Sequence, residues 1–120
     1  MSEARHLCII IQTGPYLSEN FDLAYSLAKA ARSTGDVVSI FFYVDGVGCL
    51  NQKISSPGER NIADMVRELA EAGVRVAGCG ACAKFRGITK DMVIPGAHMG
   101  SLVDLAEMLS EADSVMSLGF

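Results

Sequence analysis

The run from Asp36 to Val44 constrains this chain more than any other feature: Val37, Val38, Ile40, Phe41, Phe42, Tyr43 and Val44 are interrupted only by Ser39. A segment that is apolar at nearly every position, rather than at alternate ones, suits a strand covered on both faces, as parallel strands are. Parallel strands cannot be joined by a tight hairpin and need crossover connections, usually helical. The rest of the chain should therefore alternate strands with helices, and the helices should cover both sides of one sheet.

The pattern along the chain agrees. His6–Gln12 is a compact apolar run closed by a Thr13-Gly14-Pro15 turn, and reads as a first strand. A helix starting near Ser18 places Phe21, Ala24, Tyr25, Ala28 and Ala31 on one face, with Gly35 suited to its C-terminal cap. After the second strand, Asp45–Ser56 reads as a polar, glycine-containing loop, long enough for functional use or for burial against a partner. Ser56-Pro57-Gly58-Glu59 carries the cap, the proline and the back-reaching glutamate of a helix start. That second helix presents Ile62, Val66, Leu69 and Ala70 and ends at Gly73.

Val74–Gly78 makes a third, short strand that runs into Cys79-Gly80-Ala81-Cys82. A helical stretch over Ala81–Arg86 is broken by Gly87, and Thr89–Ile94 supplies a further turn before Pro95-Gly96. Ser101 with Asp104 opens a last helix that turns Leu102, Leu105, Ala106 and Leu109 inward, and Asp113–Leu118 closes the chain as a strand. The expectation is an α/β three-layer sandwich: a mainly parallel sheet of four to five strands with helices on both faces. At 120 residues, 1–120 reads as a single domain.

A net charge of −4 with no cluster of Lys and Arg argues against direct nucleic-acid binding, which requires cations to displace counterions from phosphates. The apolar runs fall well short of the roughly 20 residues of a membrane-spanning helix, and no signal-peptide pattern precedes the first strand, so a cytoplasmic protein is expected. In that compartment the four cysteines are thiols rather than a disulfide scaffold. The 50% hydrophobic content hints at apolar surface covered by a partner subunit. Gly46-Val47-Gly48 lacks the third glycine and helix start of a phosphate loop, and neither histidine accompanies a nucleophile elbow, so no nucleotide cofactor and no serine-type triad are expected.

Sites in parallel α/β sheets gather at the carboxyl ends of the strands, here Thr13–Tyr16, Asp45–Gly48 and Cys79–Cys82. Cys79 ends a strand and precedes a helical turn whose unpaired N–H groups favour thiolate over thiol, and Lys84 and Arg86 could add positive potential. Such a thiolate can hold a sulfane sulfur as a persulfide and, as leaving group, release it to an acceptor thiolate. The plainer reading is that Cys79 is a small buried apolar side chain. Cys79 and Cys82 form a C-x-x-C pair with three functional readings: a redox dithiol, half a metal site, or a sulfur-bearing thiol with a resolving thiol. A zinc site would need two more ligands from Cys8, Cys49, His6 and His98, none of them in a second paired motif, so no metal is expected. Thioredoxin-type spacing is present without that fold's order of elements. Cys8 reads as core; Cys49, in the loop leaving the second strand, could approach Cys79; and His98 is a base or, more simply, a solvated loop residue.

The segment FFYVDGVGCLNQKISSP, Phe41 to Pro57, resembles the corresponding stretch of the DsrE/TusD (DsrE/F-like) sulfur-relay family. Thr13-Gly14-Pro15-Tyr16 and the closing strand after an Ala/Leu-rich helix are similar too, so the resemblance covers essentially the whole chain. Arg86-Gly87-Ile88 looks like the family's Arg-Gly-aliphatic element, and in that register the family's sulfur-accepting cysteine falls on Cys79. The resemblance implies a sulfurtransferase subunit in a homo- or hetero-oligomer of homologous subunits; since the family also has members that lack the cysteine, a non-catalytic oligomeric scaffold or binding subunit is the alternative. It implies a sulfur donor protein and a small cysteine-bearing acceptor, feeding tRNA thiolation or sulfur oxidation. The chain departs from the pattern at Cys82, where the family has a small apolar residue, and at Phe85, where it has a second arginine.

Overall fold

The computed structural model describes residues 4–55 and 57–119. Five parallel strands form one sheet: β1 (His6–Ile11), β2 (Val37–Phe42), β3 (Arg75–Cys79), β4 (Ala97–Gly100) and β5 (Ser114–Leu118), in the spatial order β4-β3-β2-β1-β5. Helices α1 (Asn20–Ser33) and α2 (Ile62–Glu71) pack with Ile9, Ile11, Val38, Ile40, Phe42 and Val76 in one core cluster. The alternate residues Cys8, Phe41, Ala77 and Cys79 face the other way, against Met108 of α4 (Leu102–Glu111), with Cys82 of α3 (Gly80–Phe85) at the edge of that cluster. The expected three-layer α/β sandwich is present, with all five strands parallel.

The strand hidden from sequence reading is β4. Ala97-His98-Met99-Gly100 carries little strand propensity and is held by pairing on one side, Ala97 opposite Val76 and Gly100 opposite Cys79. His98 therefore sits on an exposed edge strand rather than in a loop, with Nε2 3.3 Å from Asp104 Oδ1.

Three expectations are corrected. The helix start expected at Ser56-Pro57 does not hold: Ser56 lies outside the described residues, Gly58 takes a left-handed φ of 79°, and α2 begins at Ile62. Tertiary contacts choose that start. Asn61 Oδ1 accepts the Asp64 N–H at 2.9 Å, the Tyr16 hydroxyl accepts the Ile62 N–H at 3.2 Å and donates to the Arg60 carbonyl, and Arg60 grips Asp22 of α1 through two bonds. Asn61 and Tyr16 supply partners for helix-end N–H groups that would otherwise be unpaired, and the Arg60–Asp22 pair ties the residue just before them to α1.

The polar loop expected over Asp45–Ser56 begins instead as a 3-10 helix, Val44–Leu50, in which Gly46, Val47, Cys49 and Leu50 are buried. Gly46 is required here. A Cβ in its place would lie 2.1 Å from the Ile11 carbonyl oxygen, so only glycine lets this turn close over the end of β1.

Finally, α4 opens with the expected Ser101/Asp104 capping box but is rotated from the expected phase. Met108 is its buried residue, flanked by Leu105, while Leu102 is 53% and Leu109 38% exposed, and Ala106 is also at the surface. The second face of the sheet offers α4 only the short row of Cys8, Phe41 and Ala77 to cover, and one helical stripe suffices for that.

Candidate functional site at the carboxyl end of the sheet

Because every strand is parallel, Ile11, Phe42, Cys79, Gly100 and Leu118 all end at the same edge of the sheet. The three expected strand-end segments adjoin there. The Pro15 ring lies against Gly48, where an added Cβ would come within 2.8 Å of Cδ, and Gly14 lies against Asp45. Arg86 joins the second segment to the third: Nε donates to Asp45 Oδ1 at 2.8 Å and Nη1 to the Cys82 carbonyl at 3.0 Å.

Cys79 is the last residue of β3 and the N-cap of α3, with extended backbone at φ −79°, ψ 114°. Its side chain turns back over the first helical turn, and Sγ accepts the Cys82 N–H at 3.4 Å. Sulfur thus stands where the oxygen of a Ser or Asp cap would stand. The residue is only 5% exposed, packed with Cys8, Phe41, Ala77 and Met108.

Cys82, one turn on, is more open. Burial pushes its thiol above the ordinary 9.0, and the Cys79 side chain beside it acts in the same direction; the Val44 amide and the Arg86 charge pull the other way. Val44 holds a φ of 54°, the left-handed region that costs a β-branched side chain about 1–2 kcal/mol. That strain sits directly against the cysteine pair.

The other candidates separate from this pair. Lys84 lines a groove of about 870 Å³ along α3 with Lys90, His98 and Met99, and neither cysteine is among the groove's walls. Cys49 belongs to the α1/α2 side of the sheet, opposite to Cys79, so the approach expected of it does not occur. It is 1% exposed, and burial, assisted by the charge of Asp22, pushes its thiol up to about 12. Cys8 is fully buried in β1, with its thiol likewise raised by burial. Among the described residues no three His, Cys, Asp or Glu side chains converge as a metal-binding group, and no helix is long and apolar enough to cross a membrane.

A family model described as DsrE/DsrF-like matches residues 5–118. The chain belongs to the DsrE/DsrF-like family. Its relatives include protein YchN of Escherichia coli, 34% identical over 92% of this chain and 97% of that protein. A candidate sulfurtransferase of Allochromatium vinosum, DsrE, is 32% identical over 91% of this chain and 95% of its own length. An uncharacterised protein of Methanopyrus kandleri, MK0008, is 32% identical over 92% and 91%. The crystal structure of YchN from Escherichia coli superposes with a TM-score of 0.87, covering 95% of this chain and 99% of that one at 28% sequence identity.

In this DsrE/DsrF-like chain the residues that sequence reading missed are Val44 and the Asp45 carboxylate. Strand-end topology pointed to their segment, but nothing local marks a Val for left-handed backbone or an Asp for pairing with an arginine forty-one positions on.

Proposed function

We propose that the protein is a sulfur-relay subunit in which Cys79 accepts a sulfane sulfur as a persulfide and hands it to an acceptor thiol. The reading rests on one observation: the strand-end sulfur of Cys79, almost closed off from solvent, receives a backbone N–H from the first turn of α3. In loading, the Cys79 thiolate attacks the outer sulfur of a donor persulfide, the donor's S–S bond breaks, and the donor leaves as its thiolate. In delivery the acceptor's thiolate attacks the outer sulfur on Cys79, and Cys79 is the leaving group. The sulfur-transfer name borne by the Allochromatium vinosum relative supports the same chemistry.

The partners in this reading are a donor protein, a small cysteine-bearing acceptor protein and homologous subunits, in the cytoplasm. A net charge of −4 favours delivery through a protein, including any sulfur destined for tRNA, over direct contact with RNA. Leu102, Val103, Phe85 and Val115, 53%, 67%, 87% and 50% exposed, are apolar surface for neighbouring subunits to cover.

Intact mass after exposure to a persulfide donor tests the assignment. Wild type should gain the mass of one sulfur atom and pass it to a thiol acceptor. Equal and persistent loading of Cys79→Ser would refute it.

A further inference from the structure

Cys79 and Cys82 stand at the two positions that a capping box uses, and one half of that box is formed, the Cys82 N–H donating to Cys79 Sγ. Cys79 occupies the N-cap and Cys82 the third helical position, the two positions whose side chains lie next to each other across the first turn. Three features outside α3 bear on the second sulfur. Val44, strained at φ 54°, has its amide beside Cys82 Sγ. Arg86 bonds the Cys82 carbonyl, and Asp45 holds Arg86 in turn. Strained backbone and an anchored arginine converge on a thiol that simple sulfur acceptance at Cys79 does not use.

We propose that Cys82 is a resolving thiol that discharges a Cys79 persulfide as hydrogen sulfide when no acceptor takes it, giving the protein a persulfide-reducing activity. The inference rests on the reading of Cys79 as a sulfur acceptor. In the discharge step the Cys82 thiolate attacks Cys79 Sγ, the inner sulfur. The Cys79–Cys82 disulfide bond forms and the bond from Cys79 Sγ to the outer sulfur breaks. Hydrosulfide leaves with the electron pair and takes up the proton that Cys82 gave up. The sulfane sulfur gains two electrons and the two thiols lose them, so no outside oxidant is needed. A dithiol reductant then returns the disulfide to two thiols.

The inner sulfur is the target because it is the atom held against Cys82, 3.4 Å from its N–H, whereas an outer sulfur extends beyond it. Hydrosulfide, a weaker base than an alkyl thiolate, is also the better leaving group. A docked acceptor, which attacks the outer sulfur, and Cys82, which attacks the inner one, compete for the same persulfide.

The test uses reduced wild type, Cys82→Ala, Cys82→Ser and Cys79→Ser, each loaded with glutathione persulfide, freed of excess donor and held without thiol or oxygen. Intact mass and released sulfide are followed together. Wild type should pass from one sulfur heavier to two hydrogens lighter, with one sulfide released per loaded chain at a rate independent of protein concentration. Both Cys82 variants should keep the added sulfur and lose the sulfide release, and dithiothreitol should restore loading in discharged wild type. Wild type holding its sulfur as long as the Cys82 variants overturns the inference while leaving Cys79 as acceptor. Absence of loading in wild type and both Cys82 variants overturns the acceptor assignment and the inference with it.

Discussion

Replacing Gly46 by alanine tests whether the strand-end turn is as tightly seated as the geometry requires. The new methyl would stand 2.1 Å from the Ile11 carbonyl oxygen and 2.9 Å from its carbon, both backbone atoms of β1 that cannot swing away. Relief requires the Val44–Leu50 turn to lift, drawing Val47, Cys49 and Leu50 out of full burial and stretching the 2.8 Å bond from the Tyr43 N–H to the Ile11 carbonyl. Overpacking of this kind costs about 1–3 kcal/mol, and a weakened backbone hydrogen bond adds about 1, for a total of about 3 kcal/mol. With an unfolding entropy of about 2.1 cal/mol/K per residue, a chain of 120 residues should melt about 12 °C lower. Thermal unfolding followed by circular dichroism reads this directly. Gly14→Ala is the control: its methyl meets the Asp45 carbonyl oxygen at an ordinary 3.5 Å and should shift melting by no more than about 2 °C. If Gly46→Ala melts like that control, the turn is not locked against β1 and the seating of Val44 beside Cys82 loses its basis.

Arg86→Ala removes a part-exposed ion pair and one bond to the Cys82 carbonyl, so stability should fall by only about 1 kcal/mol in urea titration, while discharge of loaded sulfur slows well beyond what that loss explains. Arg86→Lys, which keeps the charge and loses the fork, should recover stability better than discharge; equal recovery would contradict a positioning role. Alkylation with iodoacetamide, mapped by peptide mass, should leave Cys49 unmodified in the folded protein, because the residue is 1% exposed and its thiol is pushed up to about 12. Cys82 should react, with a rate still climbing above pH 9.0 because a raised thiol yields its thiolate late; in Cys79→Ser that rise should move to lower pH as one cause of the shift disappears. Labelling of Cys49 as fast as Cys82 would refute the burial argument.

How much was legible in the sequence depended on how local the cause was. The α/β sandwich followed from the unbroken apolar run of β2, since a strand without a polar face has to be covered twice, and the cysteine pair followed from its place after β3. The Ser101/Asp104 box was readable because both partners of a cap lie within one turn. The start of α2 was misread for the converse reason: the sequence offers a good local cap, and Tyr16 and Asp22, distant in the chain, supply competing partners that select Ile62.

Residue order alone thus determined the parallel sheet, its helical crossovers and the strand-end placement of Cys79, because periodicity and capping act over a few residues. Tertiary structure alone decided which sulfurs meet. Cys49 follows β2 and Cys79 ends the neighbouring β3, yet the sheet stands between them. Val44 and Asp45, by contrast, reach Cys82 and Arg86 because parallel strands end at one edge and Gly46 permits the turn to close over β1.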